Sequence, residues 1–197
     1  MEIPEVVRWT PAVLAGLYVS WMSWGVLKRR GQVPRSFATS RWTTYFLFFL
    51  LFGNIGFSIL ERAVRGGHPP VFLSWAGILL VGIKAVMTVW SVRTLGPWYS
   101  YHLTRKEGQE LVLEGPYAIC RHPLYAARFF ASAGIPLAFG AFFVLPAILL
   151  MDSLAIYFRI REEESVLMHA FGKNYERYRS SVGALLPFKA LLSNTKG

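Results

Sequence analysis

A single cysteine in 197 residues leaves little sulfur chemistry available. Cys120 has no second thiol for an internal disulfide, and a zinc cluster of several thiolates is excluded. Charge is scarce too: Asp, Glu, Lys and Arg make up 16% of the chain. A soluble domain carries about 25%, because its surface must face water. Acidic residues are the scarcest, 11 against 21 Lys and Arg, for a net charge of +10. No glycine-rich turn of the strand-to-helix kind that holds a dinucleotide is present; Gly53, Gly56, Gly66 and Gly67 lie in or beside apolar blocks. No basic region precedes the first apolar block, and residues 1–8 include Glu2 and Glu5. That block therefore reads as a retained span and not a cleaved leader. Internal repeats, low-complexity tracts and flexible linkers are likewise missing, so one domain accounts for the chain.

What the chain has in quantity is apolar sequence: 54% hydrophobic residues and a mean hydropathy of +0.38. These residues gather in long blocks, and about 20 apolar residues suffice to cross a bilayer as a helix. Blocks at residues 9–27, 42–60 and 70–92 read as three spans. Trp9, Trp24, Trp42, Trp75 and Trp90 lie near their ends, where indole rings favour the interface. The stretch 124–158 is too long for one span and is interrupted by Gly134, Pro136, Gly140 and Pro146. It reads as two helices joined by a tight turn near 139–143, with Pro136 or Pro146 able to kink a span.

Five transmembrane helices follow, in an all-α polytopic fold whose last two form a hairpin. Residues 1–92 supply three spans, 93–123 a cytoplasmic segment, 124–158 the hairpin and 159–197 a cytoplasmic tail with a short helix. Of the 21 Lys and Arg, 16 fall in the segments 28–41, 93–124 and 159–197. That bias places the N-terminus outside and the C-terminus inside an inner-type membrane. It also explains the basic balance without nucleic acid, for which no folded basic domain remains once the spans are removed.

Two polar clusters carry candidate chemistry. The first runs from Leu95-Gly96-Pro97-Trp98 through Glu114-Gly115-Pro116-Tyr117 to Arg121-His122-Pro123-Leu124-Tyr125. Pro123 suits the first turn of a helix, which leaves Arg121 and His122 at the helix mouth. As an isolated pair they could equally be a basic interfacial anchor. The second is Arg159, Arg161 and Glu162-Glu163-Glu164, followed by Leu167, Phe171-Gly172, Tyr175 and Tyr178. Arg159 and Glu163 are i,i+4 neighbours and could form a plain surface ion pair. Yet three carboxylates at a helix C-terminus oppose the macrodipole. The two ends of a hairpin are neighbours, so both signs of charge meet at one mouth, which suits a zwitterionic ligand.

Taken in order, these motifs with Pro187-Phe188 resemble the isoprenylcysteine carboxyl methyltransferase family and, more broadly, membrane methyltransferases that include phospholipid N-methyltransferases. The resemblance spans roughly residues 93–188. It implies S-adenosylmethionine at the cytoplasmic segment and the ends of the last helices, with S-adenosylhomocysteine as product. Residue by residue it carries over to Tyr117, Arg121, His122, Pro123, Tyr125, Glu163 and Glu164. A carboxylate on the cofactor would meet Arg121 or His122, and its sulfonium and amino groups the glutamates. Tyr117 and the backbone of residues 110–113, Leu113 included, would serve adenine and ribose, with His102 as a further contact.

A carboxylate acceptor needs no general base. It needs orientation and removal of water, and Arg121 or Arg159 could hold it bidentately. An amine acceptor needs a proton removed, for which Glu163 or a tyrosine is available. The resemblance favours a lipophilic acceptor entering between helices, a prenylated cysteine or an analogous lipid. N- or S-methylation, or a non-catalytic transporter or scaffold, are the other readings. Arg128 departs from the family pattern: a charge just inside the fourth span is costly unless it is paired, faces a cavity or snorkels, and the functional reading is recognition of an acidic lipid or substrate headgroup. Lys84 lies deeper and calls for a partner such as Asp152. His68, His102 and His169 form no convincing metal set, and Cys120 reads as a packing residue.

Overall fold

The computed structural model describes residues 41–66, 69–99, 108 and 110–186. The block at 9–27, His68, His102 and the tail from residue 187 onward lie outside these residues. The described residues contain helices and turns and no strand. Helix α1 is Arg41–Arg65 and α2 is Val71–Leu95, which ends in a short 3-10 turn, Gly96–Trp98. Then come α3 (Pro116–Ile119), α4 (Pro123–Phe139), α5 (Val144–Phe171) and α6 (Lys173–Ser181).

Two segments, Trp42–Arg65 and Val71–Trp98, are long and apolar enough to cross a membrane. They coincide with the second and third expected spans. Their outward side chains include Trp42, Phe49, Phe72, Leu79 and Val86, all exposed. A water-soluble fold would cover such a surface, whereas a bilayer solvates it. Helix α5 does not stop near residue 158, where the cytoplasmic tail was expected to begin. It runs 28 residues without a break to Phe171. At 1.5 Å per residue that is about 42 Å, longer than the roughly 30 Å of a bilayer's hydrocarbon.

The closest helix crossing lies between α2 and α4. A Cβ added at Gly77 would stand 2.4 Å from the Ala138 nitrogen and 2.5 Å from the Gly134 carbonyl oxygen. One at Gly134 would stand 2.7 Å from the Gly77 carbonyl oxygen. Only hydrogen at both positions lets the backbones touch, the usual small-residue route to helix association in lipid. Beside this crossing Ala131, Ile135, Phe139 and Ala141 form a buried cluster, against which Leu51, Ile55, Val81 and Val144 pack.

The break between α4 and α5 falls at residues 140–143. Gly140 is left-handed, with φ 68°, and a Cβ there would strike Pro69 at 2.6 Å. Both facts require glycine. The first amides of α5 are capped from another helix: the Glu61 carboxylate of α1 accepts from the Phe143 N–H at 3.1 Å and the Val144 N–H at 2.9 Å. Arg65 pairs with Glu61 at 3.1 Å and lies over the Phe142 and Phe143 rings. Pro146 falls in the first turn of α5, where a missing N–H costs little. Pro136 is different, because it deprives the Ser132 carbonyl of its helical donor. The buried Asn54 of α1 supplies a substitute, its Nδ2 reaching that carbonyl at 3.5 Å, while Ser58 donates to Asn54 at 3.3 Å.

Gly134→Leu is expected to force α2 and α4 apart and lower the detergent melting temperature by the equivalent of about 1–3 kcal/mol or more. Gly82→Ala on α2, where an added Cβ meets nothing within 4 Å, should leave melting unchanged. Equal melting of both variants would refute the close crossing.

Candidate active site

The sequence Glu114-Gly115-Pro116-Tyr117 folds as it does because Gly115 is left-handed, with φ 58°, and its α-carbon faces α2. A Cβ there would meet Thr94 Oγ1 at 2.9 Å. Pro116 then opens the single turn α3, and Cys120 returns the chain to extended backbone before α4. Pro123 occupies the first turn of α4 behind His122, as the sequence implied. Arg121 and His122 thus sit at the mouth of α4, both buried, facing the far end of α5.

Glu164 is the hub there. Its Oε1 accepts from Arg121 Nε at 3.0 Å and Nη2 at 2.5 Å, and lies 3.3 Å from His122 Nε2. Its Oε2 pairs with Arg179 Nε of α6 at 3.3 Å. Burial alone would raise the Glu164 pKa. The hydrogen bonds from His122 and Arg121, with the charge of Arg121, outweigh burial and hold it at about 2. The other Arg121 nitrogen, Nη1, donates to the carbonyls of Arg179, at 3.2 Å, and Val182. The backbone N–H groups of Arg121 and His122 donate to Gly183 and Ala184, each at 2.9 Å. Arg121 was read as a clamp for a cofactor or acceptor carboxylate. Its guanidinium is instead committed to Glu164 and to the C-terminal end of α6.

Glu163 is less committed. Its side chain is 28% exposed and its ion-pair contact is His122 Nδ1 at 3.7 Å. Three tyrosines lie in its field: Tyr117, Tyr125 and Tyr175. Among the described residues the buried Tyr117 hydroxyl has no hydrogen-bond partner, and the buried Tyr175 hydroxyl has only Arg121 within reach. Burial first, and then the charge of Glu163, push the Tyr117 phenol far above its ordinary range, so it stays protonated. Tyr178 donates to the Tyr117 carbonyl at 2.6 Å and fixes α6 over α3. Cys120 is buried and its thiol is raised by that burial, consistent with packing.

Arg159 does not pair with Glu163. Its Nε donates to Tyr125 Oη at 3.2 Å and its Nη1 to Thr43 Oγ1 at 2.7 Å, with Glu162 Oε2 at 3.7 Å. Thr43 in turn donates to Glu162 at 3.0 Å. Arg128 is paired inside the bundle: it meets Asp152 at 2.8 Å and donates to the Leu47 carbonyl at 2.7 Å. Asp152, the partner expected for Lys84, is thus engaged by Arg128. Leu113 is exposed before α3.

Sequence reasoning missed Thr43, Glu162 as the Arg159 partner, Arg179 and Asn54. A signal for the α1 residues was present. Thr43, Asn54 and Ser58 fall on one helical face of an otherwise apolar block, a polar stripe that lipid would not tolerate.

The model of the isoprenylcysteine carboxyl methyltransferase (ICMT) family matches residues 75–169, from α2 to the end of α5. A nickel-cobalt-cadmium resistance protein, NccN, of Alcaligenes xylosoxydans xylosoxydans is 30% identical over 133 residues. The alignment covers 66% of this chain and 60% of that protein. The protein-S-isoprenylcysteine O-methyltransferase of Xenopus laevis is 32% identical over 120 residues, 59% of this chain and 41% of the enzyme. The chain therefore spans about half the length of these curated relatives. Among solved structures, a eukaryotic intramembrane Ras methyltransferase, ICMT, matches with a TM-score of 0.62 at 23% identity. That match covers 90% of this chain and 68% of that one, and it shows a shared helical membrane fold. The resemblance read from the motifs holds, and the chain is an integral membrane protein.

The Glu164 hub makes a pH prediction. Its folded pKa lies below the unfolded 4.5, so its stabilisation is complete above about 4.5 and is lost as pH falls through about 2. Glu164→Gln should melt roughly 5 °C or more below wild type at pH 7, and the gap should hold to about pH 5 and close on further acidification. A gap that does not change between pH 7 and pH 3 would count against the hub.

Proposed function

We propose that this chain, a relative of the isoprenylcysteine carboxyl methyltransferase family, is a membrane methyltransferase. It moves a methyl group from S-adenosylmethionine to a lipophilic acceptor, the carboxylate of a prenylated cysteine or of an analogous lipid. The observation that carries this reading is a half-open mouth: a partly exposed carboxylate, Glu163, beside the buried Tyr117 hydroxyl, which has no hydrogen-bond partner among the described residues, and the buried Tyr175 hydroxyl, which has only Arg121 near it. Unpartnered buried hydroxyls are costly unless a ligand engages them.

The residues present fit the methyl donor. Glu163 would hold its cationic part, and the Tyr117 and Tyr175 hydroxyls would bond its polar groups, with His122 fixed between the two glutamates. When bound, the donor supplies a methyl carbon on a sulfonium, which an acceptor oxygen can take while the sulfur leaves as a neutral thioether. A carboxylate acceptor is already ionised at neutral pH, so the protein moves no proton. Its task is orientation and exclusion of water. Arg159 is buried beside Tyr125 at the same mouth and would hold the acceptor carboxylate. Arg121 acts behind them, tying the mouth to α6 and to residues 182–184. In this reading α4 and α5 complete a five-span bundle with the N-terminus outside and the mouth on the cytoplasmic side, where the prenyl tail reaches it from the lipid.

Calorimetric titration of the detergent-purified protein with S-adenosylmethionine and S-adenosylhomocysteine tests the first half. Saturable binding is expected, weakened about tenfold by Glu163→Gln and several-fold by Tyr117→Phe. Transfer of labelled methyl to a small S-isoprenyl cysteine tests the second. Arg159→Lys is expected to lower kcat about 100-fold with cofactor binding within threefold of wild type. Folded, monodisperse protein that binds neither compound would remove the enzyme reading. Transfer to an amine or thiol lipid, but not to the carboxylate, would replace the acceptor.

A further inference from the structure

Away from the mouth, α1, α4 and α5 share a buried polar junction that the proposed reaction does not use. The Arg128 guanidinium of α4 donates to Asp152 Oδ1 of α5 through Nε at 3.1 Å and Nη2 at 2.8 Å. The same Nη2 donates to the Leu47 carbonyl of α1 at 2.7 Å. Ser132, one turn further along α4, donates to Asp152 Oδ2. Both carboxylate oxygens are therefore engaged, and the Asp152 side chain is 2% exposed. Lys84 of α2 is buried within electrostatic reach of Arg128.

A buried ion pair is weak evidence of stabilisation, because desolvating both charges offsets much of their attraction. Its positional information is stronger. Each helix that meets at this junction also supplies one member of the Arg159 group, displaced toward the mouth along the same face. On α1, Thr43 precedes Leu47 by four residues; on α4, Tyr125 precedes Arg128 by three; on α5, Arg159 follows Asp152 by seven, about two turns. The longer step on α5 is taken up by the Arg159 side chain, which leans back toward the N-terminus of its helix. The contacts it makes are short, 3.2 Å to Tyr125 and 2.7 Å to Thr43. A slip of one residue on any of the three helices, about 1.5 Å and 100°, would break them.

We infer that Arg128 and Asp152 are positioning residues that pin the mutual register of α1, α4 and α5 and thereby set Arg159 against Tyr125 and Thr43. For catalysis the inference rests on the methyltransferase reading; the register itself does not. Two readouts separate them, on full-length protein in lipid nanodiscs with Cys120→Ala. Spin labels at the exposed positions Trp42 and Arg161 report the α1–α5 distance, and methyl transfer to an S-isoprenyl cysteine reports kcat.

Arg128→Met/Asp152→Leu replaces the pair by apolar side chains of similar size and leaves no uncompensated charge at either position. The expected result is a broadened or shifted distance distribution. The kcat should fall tenfold or more, with S-adenosylhomocysteine binding within threefold of wild type. Ser132→Ala, a milder change that removes one donor to Asp152, should move both readouts in the same direction, by about threefold in kcat. A distance distribution and kcat identical to wild type in both variants would overturn the inference. Wild-type protein that transfers no methyl group would sink the function reading alone, and the distance arm would still decide the register.

Discussion

Everything at the membrane mouth hangs on the carboxylate of Glu164. One end of α5 presents it; Arg121 and His122 arrive from the start of α4, and Arg179 from α6. Three separate pieces of chain are thereby fixed at one point. Because the Glu164 side chain is buried, a charge left unmatched there would be far more costly than at a surface. The arrangement also divides labour between adjacent glutamates. Glu164 is saturated by protein donors and builds the mouth; Glu163, one residue earlier and turned toward the tyrosines, keeps its carboxylate accessible.

The same accounting of polar groups runs through the apolar zone. With no water to satisfy a backbone carbonyl, each local departure from the helix needs a named substitute. Pro136 withdraws a donor from Ser132, and Asn54 replaces it. The break at residues 140–143 exposes the first amides of α5, and Glu61 closes them. In both cases the substitute comes from α1, which makes that helix a splint for the α4–α5 pair. This role explains why an otherwise lipid-facing helix carries a single polar stripe.

Much of this was legible in the sequence, and the reasons differ by residue. Apolar block length located the spans at 42–60 and 70–92, because hydrocarbon thickness dictates length directly. The pairing of the Arg121-His122 end with Glu163-Glu164 was legible through the motifs. The finer partners were not. Arg159 takes Glu162 and Thr43 where helical spacing offered Glu163, because α1 approaches from a direction that spacing within α5 cannot encode. Of the acceptors of Arg121, the carbonyls of residues 179 and 182 were out of reach of sequence reading, because backbone acceptors leave no mark in sequence. For Arg128 the sequence said only that a charge there needs a partner, a cavity or a route to the interface, without choosing among them. The partner was simply internal.

The parallel pairing of residues 121 and 122 with 183 and 184 bears on how the protein is made. Those two strips of backbone are separated by the whole of α4, α5 and α6, so a chain emerging from the ribosome holds Arg121 and His122 long before their carbonyl acceptors exist. Until then both amides lack these acceptors, and the guanidinium can meet Glu164 but not the carbonyls of Arg179 and Val182. This part of the mouth therefore closes only after α6 has been made. A chain stopped before α6 would hold Arg121 against Glu164 alone, with the amides of residues 121 and 122 unanswered.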